Sequence, residues 1–229
     1  MPDLHFSSNS GDSPGYLALP ANLPRPGVLV LQEWWGLDDH IRSVCDLLAA
    51  EGFVALAPDL YRREPTIQPD EAQQLMMALS IHHVVKDMRG AAEHLISLDA
   101  VAGERVGAVG FCLGGGLAVW AAATSPLIGA TVTYYYVMPH GKPDFTDIDA
   151  PVLGHFGTAD GFVPTEDARA LETELRNAGV DTLFEYYEGA GHAFFNDTNR
   201  LGTYNPTFAA SSWERTIRFL RHHLTATTI

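Results

Sequence analysis

Three side chains of this sequence could together carry out acyl transfer. They are a thiol, Cys112, in Gly110-Phe111-Cys112-Leu113-Gly114; a carboxylate, Asp160, in HFGTADGFVP; and an imidazole, His192, in EGAGHAFFND. The pentapeptide fits G-x-S-x-G with sulfur in place of oxygen, a strained turn that presents a nucleophile between a strand and a helix. Side chains at its flanking positions would collide with that strand or helix, which accounts for the two glycines. A thiolate there attacks a carbonyl, the N–H of Leu113 points at the developing oxyanion, and a histidine held by a carboxylate moves the proton. Such a turn requires the chain order nucleophile, acid, base, and the three residues occur in that order. Each also has a plainer reading: Cys112 as a buried packing cysteine, Asp160 as a turn former.

Other candidates fall away on the same reasoning. Cys45 lies on the apolar face of an expected helix with no glycine turn, so packing is its expected role. His82, His83, His222 and His223 fall in expected helices, and no H-E-x-x-H or C-x-x-C pattern suggests a metal. A dinucleotide fingerprint needs glycine where Cys112 stands, and a P-loop needs a Gly-Lys-Ser/Thr ending that GGGLAV lacks. No cofactor is expected.

The elements that must position the triad follow from periodicity. Short apolar runs at Gly27 to Leu31, Phe53 to Ala57, Val106 to Val109, Ile128 to Thr133, Val152 to Phe156 and Leu183 to Tyr187 read as buried strands. Between them lie helical patterns: LDDHIRSVCDLLAAEG, one or two helices within Glu71 to Leu98, then Leu113 to Ala123, Thr165 to Ala178, and Trp213 to Leu224. Pro65 to Asp70 reads as a loop. Alternation of this kind predicts an α/β fold, with a mostly parallel central sheet and helices on both faces, as a single domain over 1–229. In such a sheet ligands sit at the C-terminal ends of strands, where QEWWG, DLYRR, GFCLGG, TYYYV, GTADGFV and EGAGHAF all fall.

Composition agrees with a soluble small-molecule enzyme. The 229 residues are 46% hydrophobic and 18% charged, enough for one substantial core. A net charge of -14, with no Lys/Arg cluster to offset it locally, opposes nucleic acid and anionic membrane surfaces as partners. No apolar stretch reaches the roughly 18 to 20 residues of a membrane span. Two cysteines, and an opening MPDLHFSSNS without a basic and then apolar leader, point to a reducing, cytoplasmic setting. A monomer or small homo-oligomer is expected.

The motifs LQEWWGL, APDLY, GFCLGG, the tyrosine cluster, HFGTAD, GAGHAF and a W-E-R-T helix start make the chain resemble the dienelactone hydrolase (carboxymethylenebutenolidase) family of the α/β-hydrolase fold. The resemblance runs over nearly the whole length and implies cleavage of a lactone or ester through a cysteine thioester. It also implies that Glu33 is the family's glutamate, which contacts the resting thiol. Trp34 would supply a second oxyanion N–H, while Trp35, one of Tyr134 or Tyr135, and Phe194 would line the pocket. Family members hold a substrate carboxylate with two arginines. Here Asn196 stands at one of those positions, and PDEAQQLMM offers no arginine for the other. Arg62, Arg63 or Arg200 could take over that role. Two different functions compete with hydrolysis: a silent scaffold that binds a ligand or regulates, and a redox-active thiol protein, which would need a resolving cysteine.

Overall fold

The computed structural model describes residues 3–8 and 11–224. Eight strands form one sheet: β1 (Asp3–Ser8), β2 (Gly11–Ala18), β3 (Gly27–Leu31), β4 (Val54–Pro58), β5 (Val106–Phe111), β6 (Ile128–Tyr134), β7 (Val152–Gly157) and β8 (Thr182–Tyr187). Their spatial order is β1-β2-β4-β3-β5-β6-β7-β8. From β4 to β8 all neighbours run parallel, and only the β1–β2 and β2–β4 pairings are antiparallel.

The helices are α1 (Asp39–Ala50), α2 (Pro69–Ala78), α3 (Ile81–Ser97), α4 (Leu113–Thr124), α5 (Thr165–Asn177) and α6 (Pro206–Leu224). The residues of β3 show why both faces must be covered. Val28 and Val30 pack into one apolar cluster with Ile41, Val44 and Leu48 of α1 and Leu220 of α6. Leu29 and Leu31, pointing the other way, join Met88 and Leu95 of α3 and Leu117 of α4. Asp38 caps α1 by accepting the Ile41 N–H at 3.1 Å, and the whole of β3 is buried.

Three features depart from the sequence reading. β1 and β2 lie outside the apolar runs read as strands, and they form an antiparallel ribbon along one side of the sheet. The Glu71 to Leu98 region resolves into two helices, the first of which begins at Pro69 inside the expected loop. The last helix starts at Pro206 rather than at Trp213, so W-E-R-T lies about two turns inside α6. Among the described residues no helix is long and apolar enough to cross a membrane.

Candidate active site

β5 ends at Phe111 and α4 begins at Leu113, so Cys112 is the whole of the turn between them. Its backbone is held at φ 54°, ψ -117°, a conformation that costs a non-glycine residue about 1–3 kcal/mol. The neighbouring chain leaves no relaxed alternative. A Cβ on Gly110 would come within 1.8 Å of the Gly114 carbonyl oxygen, and one on Gly114 within 2.1 Å of the Leu31 oxygen. Hydrogen bonds fix the turn from both sides: the Cys112 N–H donates to Tyr134 O (3.1 Å), and Val137 N–H donates to Cys112 O (3.1 Å). Leu113 is the first residue of α4, so its N–H lies outside the helical ladder and is free to serve as a donor.

His192 and Asp160 arrive from the loops after β8 and β7. His192 Nδ1 lies 2.8 Å from Asp160 Oδ2, and the Cys112 thiol is close enough for its charge to act on the His192 ring. Because Nδ1 faces the carboxylate, Nε2 is the nitrogen turned toward the thiol. The other Asp160 oxygen accepts the N–H groups of Phe162 (2.7 Å) and Val163 (2.9 Å), which anchors the carboxylate to its own loop. The Thr203 hydroxyl donates to the His192 carbonyl and anchors the second loop. Burial disfavours the His192 imidazolium, but the Cys112 charge and the hydrogen bond to Asp160 outweigh it and push the pKa up to about 10.

Glu33, on the turn after β3, is 2% exposed and has two hydrogen bonds. Its Oε1 accepts the Tyr135 hydroxyl at 3.2 Å, and its Oε2 accepts Asn196 Nδ2 at 2.6 Å. Burial pushes its pKa up, against the pull of His40. Asn196, expected to face substrate, is instead occupied on both ends, since its Oδ1 accepts from Thr198 N and Thr198 Oγ1 at 3.0 and 2.6 Å.

The two tyrosines separate cleanly. Tyr134 is a core residue and not a pocket wall: it is wholly buried, its hydroxyl meets Thr216 Oγ1 of α6 at 2.8 Å, and its ring stacks on Phe111. Tyr135 turns out of the strand at φ 38° and sets its ring edge-on to His192, 4.9 Å away. Phe194 likewise belongs to the core, packed on Tyr187 and Tyr135 with no exposed surface. Trp35 is 3% exposed and lies under the Arg200 guanidinium at 5.2 Å, so of the two tryptophans only Trp34 keeps partial exposure. Phe162 was not foreseen. It is 59% exposed, 4.8 Å from the His192 ring and 6.3 Å from Trp34, and nothing in its position two residues after Asp160 signals that orientation.

None of the three candidate arginines is a free clamp. Arg62 pairs with buried Asp87 at 2.9 Å, Arg63 with Glu71 at 2.6 Å, and Arg200 with Asp38 at 2.6 Å. Cys45 is wholly buried on α1, and burial pushes its thiol pKa up, away from reactivity. Among the described residues no cluster of three or more His, Cys, Asp or Glu could hold a metal ion.

Residues 14–224 match the dienelactone hydrolase family. The chain belongs to that family. Relatives of the same length support the assignment. Protein usf of Aquifex pyrophilus is 33% identical over 229 residues, covering 97% of this chain and 98% of that protein. A candidate carboxymethylenebutenolidase of Aquifex aeolicus is 32% identical over 233 residues, covering 96% and 98%. Among solved structures, a candidate dienelactone hydrolase from Klebsiella pneumoniae superposes with a TM-score of 0.88 at 28% identity, covering 97% of this chain and 98% of that one. The sheet order and crossovers are those of an α/β-hydrolase, and the chain is a hydrolase of the dienelactone hydrolase type.

Proposed function

We propose that this dienelactone hydrolase family member opens a small lactone or cleaves a small ester through a thioester on Cys112. The observation that carries the reading is the strained Cys112 at φ 54°, electrostatically coupled to an imidazole that Asp160 orients at 2.8 Å. A structural cysteine has no need of a forbidden backbone conformation with a buried histidine and carboxylate aligned behind it.

His192, whose pKa its partners push up to about 10, takes the Cys112 proton as the thiol is engaged, which generates the thiolate. The thiolate attacks the acyl carbon, and the carbonyl electron pair moves onto oxygen, where the N–H groups of Leu113 and Trp34 receive it. As the tetrahedral adduct collapses, the C–O bond breaks and His192 gives its Nε2 proton to the leaving oxygen. Neutral His192 then takes a proton from water, hydroxide attacks the thioester, and Cys112 departs as thiolate with the acid product released. Asp160 keeps the ring aligned throughout. Glu33, bonded to Tyr135 and Asn196, holds the Tyr135 ring against His192.

Neutral substrates suit this pocket. With Asn196 bound to Glu33 and Arg62, Arg63 and Arg200 paired elsewhere, a substrate carboxylate would enter without a charge partner, at a penalty of several kcal/mol. The test of the reaction is a matched pair of variants. Cys112→Ala abolishes hydrolysis of an aryl ester while keeping the circular dichroism of the wild type, and Cys45→Ala keeps its turnover. Near wild-type turnover in Cys112→Ala overturns the reading. For charge, kcat/KM for a neutral lactone ester exceeds that for its free-carboxylate analogue at low and high salt, and preference for the acid would contradict the neutral pocket.

A further inference from the structure

Tyr61 is placed with little freedom. It follows β4 on a turn in which Asp59 Oδ1 accepts the N–H groups of Tyr61 (3.1 Å) and Arg62 (2.9 Å). Arg62 continues the turn at φ 54° and is anchored in turn by Asp87 and Ser13. The Tyr61 ring lies beside Gly36, where a Cβ would come within 3.5 Å of it. Gly36 closes the short loop that carries Glu33 and Trp34, at the end of β3. Since β3 lies between β4 and β5, Tyr61 approaches the Cys112 turn from the side opposite His192, whose loop follows β8.

Its hydroxyl is the anomaly. The hydroxyls of Tyr16, Tyr134, Tyr135, Tyr186 and Tyr187 all rest on protein partners. That of Tyr61 is buried and, among the described residues, has no hydrogen-bond partner. Buried polar groups are almost always satisfied, so an exception on the loop that flanks Gly36, next to the turn carrying Glu33 and Trp34, calls for a partner that comes with the ligand. Burial, and then the charge on Cys112, push the Tyr61 pKa up, so the group stays protonated and can donate.

We propose that Tyr61 is a substrate contact whose hydroxyl donates a hydrogen bond to an oxygen of the acyl group that Cys112 attacks. The proposal rests on the thioester reading. Donation from the β4 side adds to the two backbone N–H groups, and it strengthens as negative charge develops on that oxygen.

Tyr61→Phe tests it, read in three ways. First, kcat/KM for an aryl ester falls by about 10²-fold, the scale of losing one donor to an oxyanion. Second, the rate at which iodoacetamide alkylates Cys112, and its pH profile, stay as in the wild type. Third, Tm is no lower than in the wild type, because the hydroxyl removed had no protein partner. Unchanged kcat/KM overturns the proposal. A matched fall in alkylation also overturns it, because the hydroxyl would then be serving the thiol. Intact mass of the wild type during turnover separates this from the underlying reading. A missing Cys112 adduct, with turnover intact in Cys112→Ala, removes the thioester itself, whereas an adduct that forms equally fast in Tyr61→Phe removes only the role of Tyr61.

Discussion

His155 and His192 are buried to nearly the same degree, 0% and 4% exposed, yet the structure drives their pKa values in opposite directions. His155, inside β7, meets only hydroxyls: Tyr187 at 2.9 Å on Nδ1 and Thr216 at 3.1 Å on Nε2. Burial pushes its pKa down to about 3, and it is neutral at any physiological pH. His192 pays the same desolvation but has Asp160 on one nitrogen and the Cys112 sulfur on the other, which reverse the sign and take it to about 10. Burial alone therefore does not decide what a histidine does; the charge on its partners does.

Exchanging the two histidines one at a time exposes that difference. His192→Ala lowers kcat by about 10⁴-fold, as for removal of a triad base, while the fold persists by circular dichroism. Asp160→Asn keeps the Phe162 and Val163 N–H acceptor but removes the carboxylate facing Nδ1, and kcat falls by between about 10² and 10⁴-fold. Near wild-type turnover in either variant would mean that a different base serves Cys112.

His155→Gln acts on stability instead. At neutral pH it lowers the unfolding free energy by about 1–3 kcal/mol through broken buried hydrogen bonds, and kcat stays within about threefold of wild type. The pH dependence carries the sign. The folded-state pKa, about 3, lies below the ordinary histidine value of 6.5, so between those values the unfolded chain binds the extra proton and His155 costs stability as pH falls. Urea unfolding at pH 7 and pH 4 should therefore show the gap between wild type and His155→Gln narrowing in acid. For His192 the sign reverses: its folded pKa lies above 6.5, so its contribution is complete below 6.5 and is lost as pH rises through about 10. A constant gap at both pH values would contradict the neutral assignment of His155. The smallest effect belongs to Cys45→Ala, a loss of about 1 kcal/mol in unfolding free energy from a shallow cavity, with unchanged kcat.

What could be read before any coordinates was what periodicity and glycine spacing encode. The strands from β3 to β8 are short apolar runs between helical patterns, and the Cys112 turn announces itself because only glycine fits at Gly110 and Gly114. β1 and β2 escaped because Pro14, Ser13 and Gly15 interrupt any alternation in β2, and the pairing that makes them strands is made with each other and with β4. Tyr134 and Tyr135 could not be separated, since strict alternation fails where Tyr135 leaves the strand at φ 38°. The pairing of Asn196 with Glu33, 163 residues away, depends on two loops meeting, which no local pattern records. Phe162 and the unpartnered Tyr61 hydroxyl were hidden for the same reason. Both are orientations of side chains on loops, set by Asp160 and Asp59 turns.

The covalent role of Cys112 is most directly measured by intact mass and peptide mapping of His192→Ala after mixing with a short-chain aryl ester. Without the base that activates water, the acyl group should accumulate on the Cys112 peptide, and the double variant with Cys112→Ala should carry none. An acyl group mapped to another residue, or steady hydrolysis by the double variant, would contradict a thioester at Cys112.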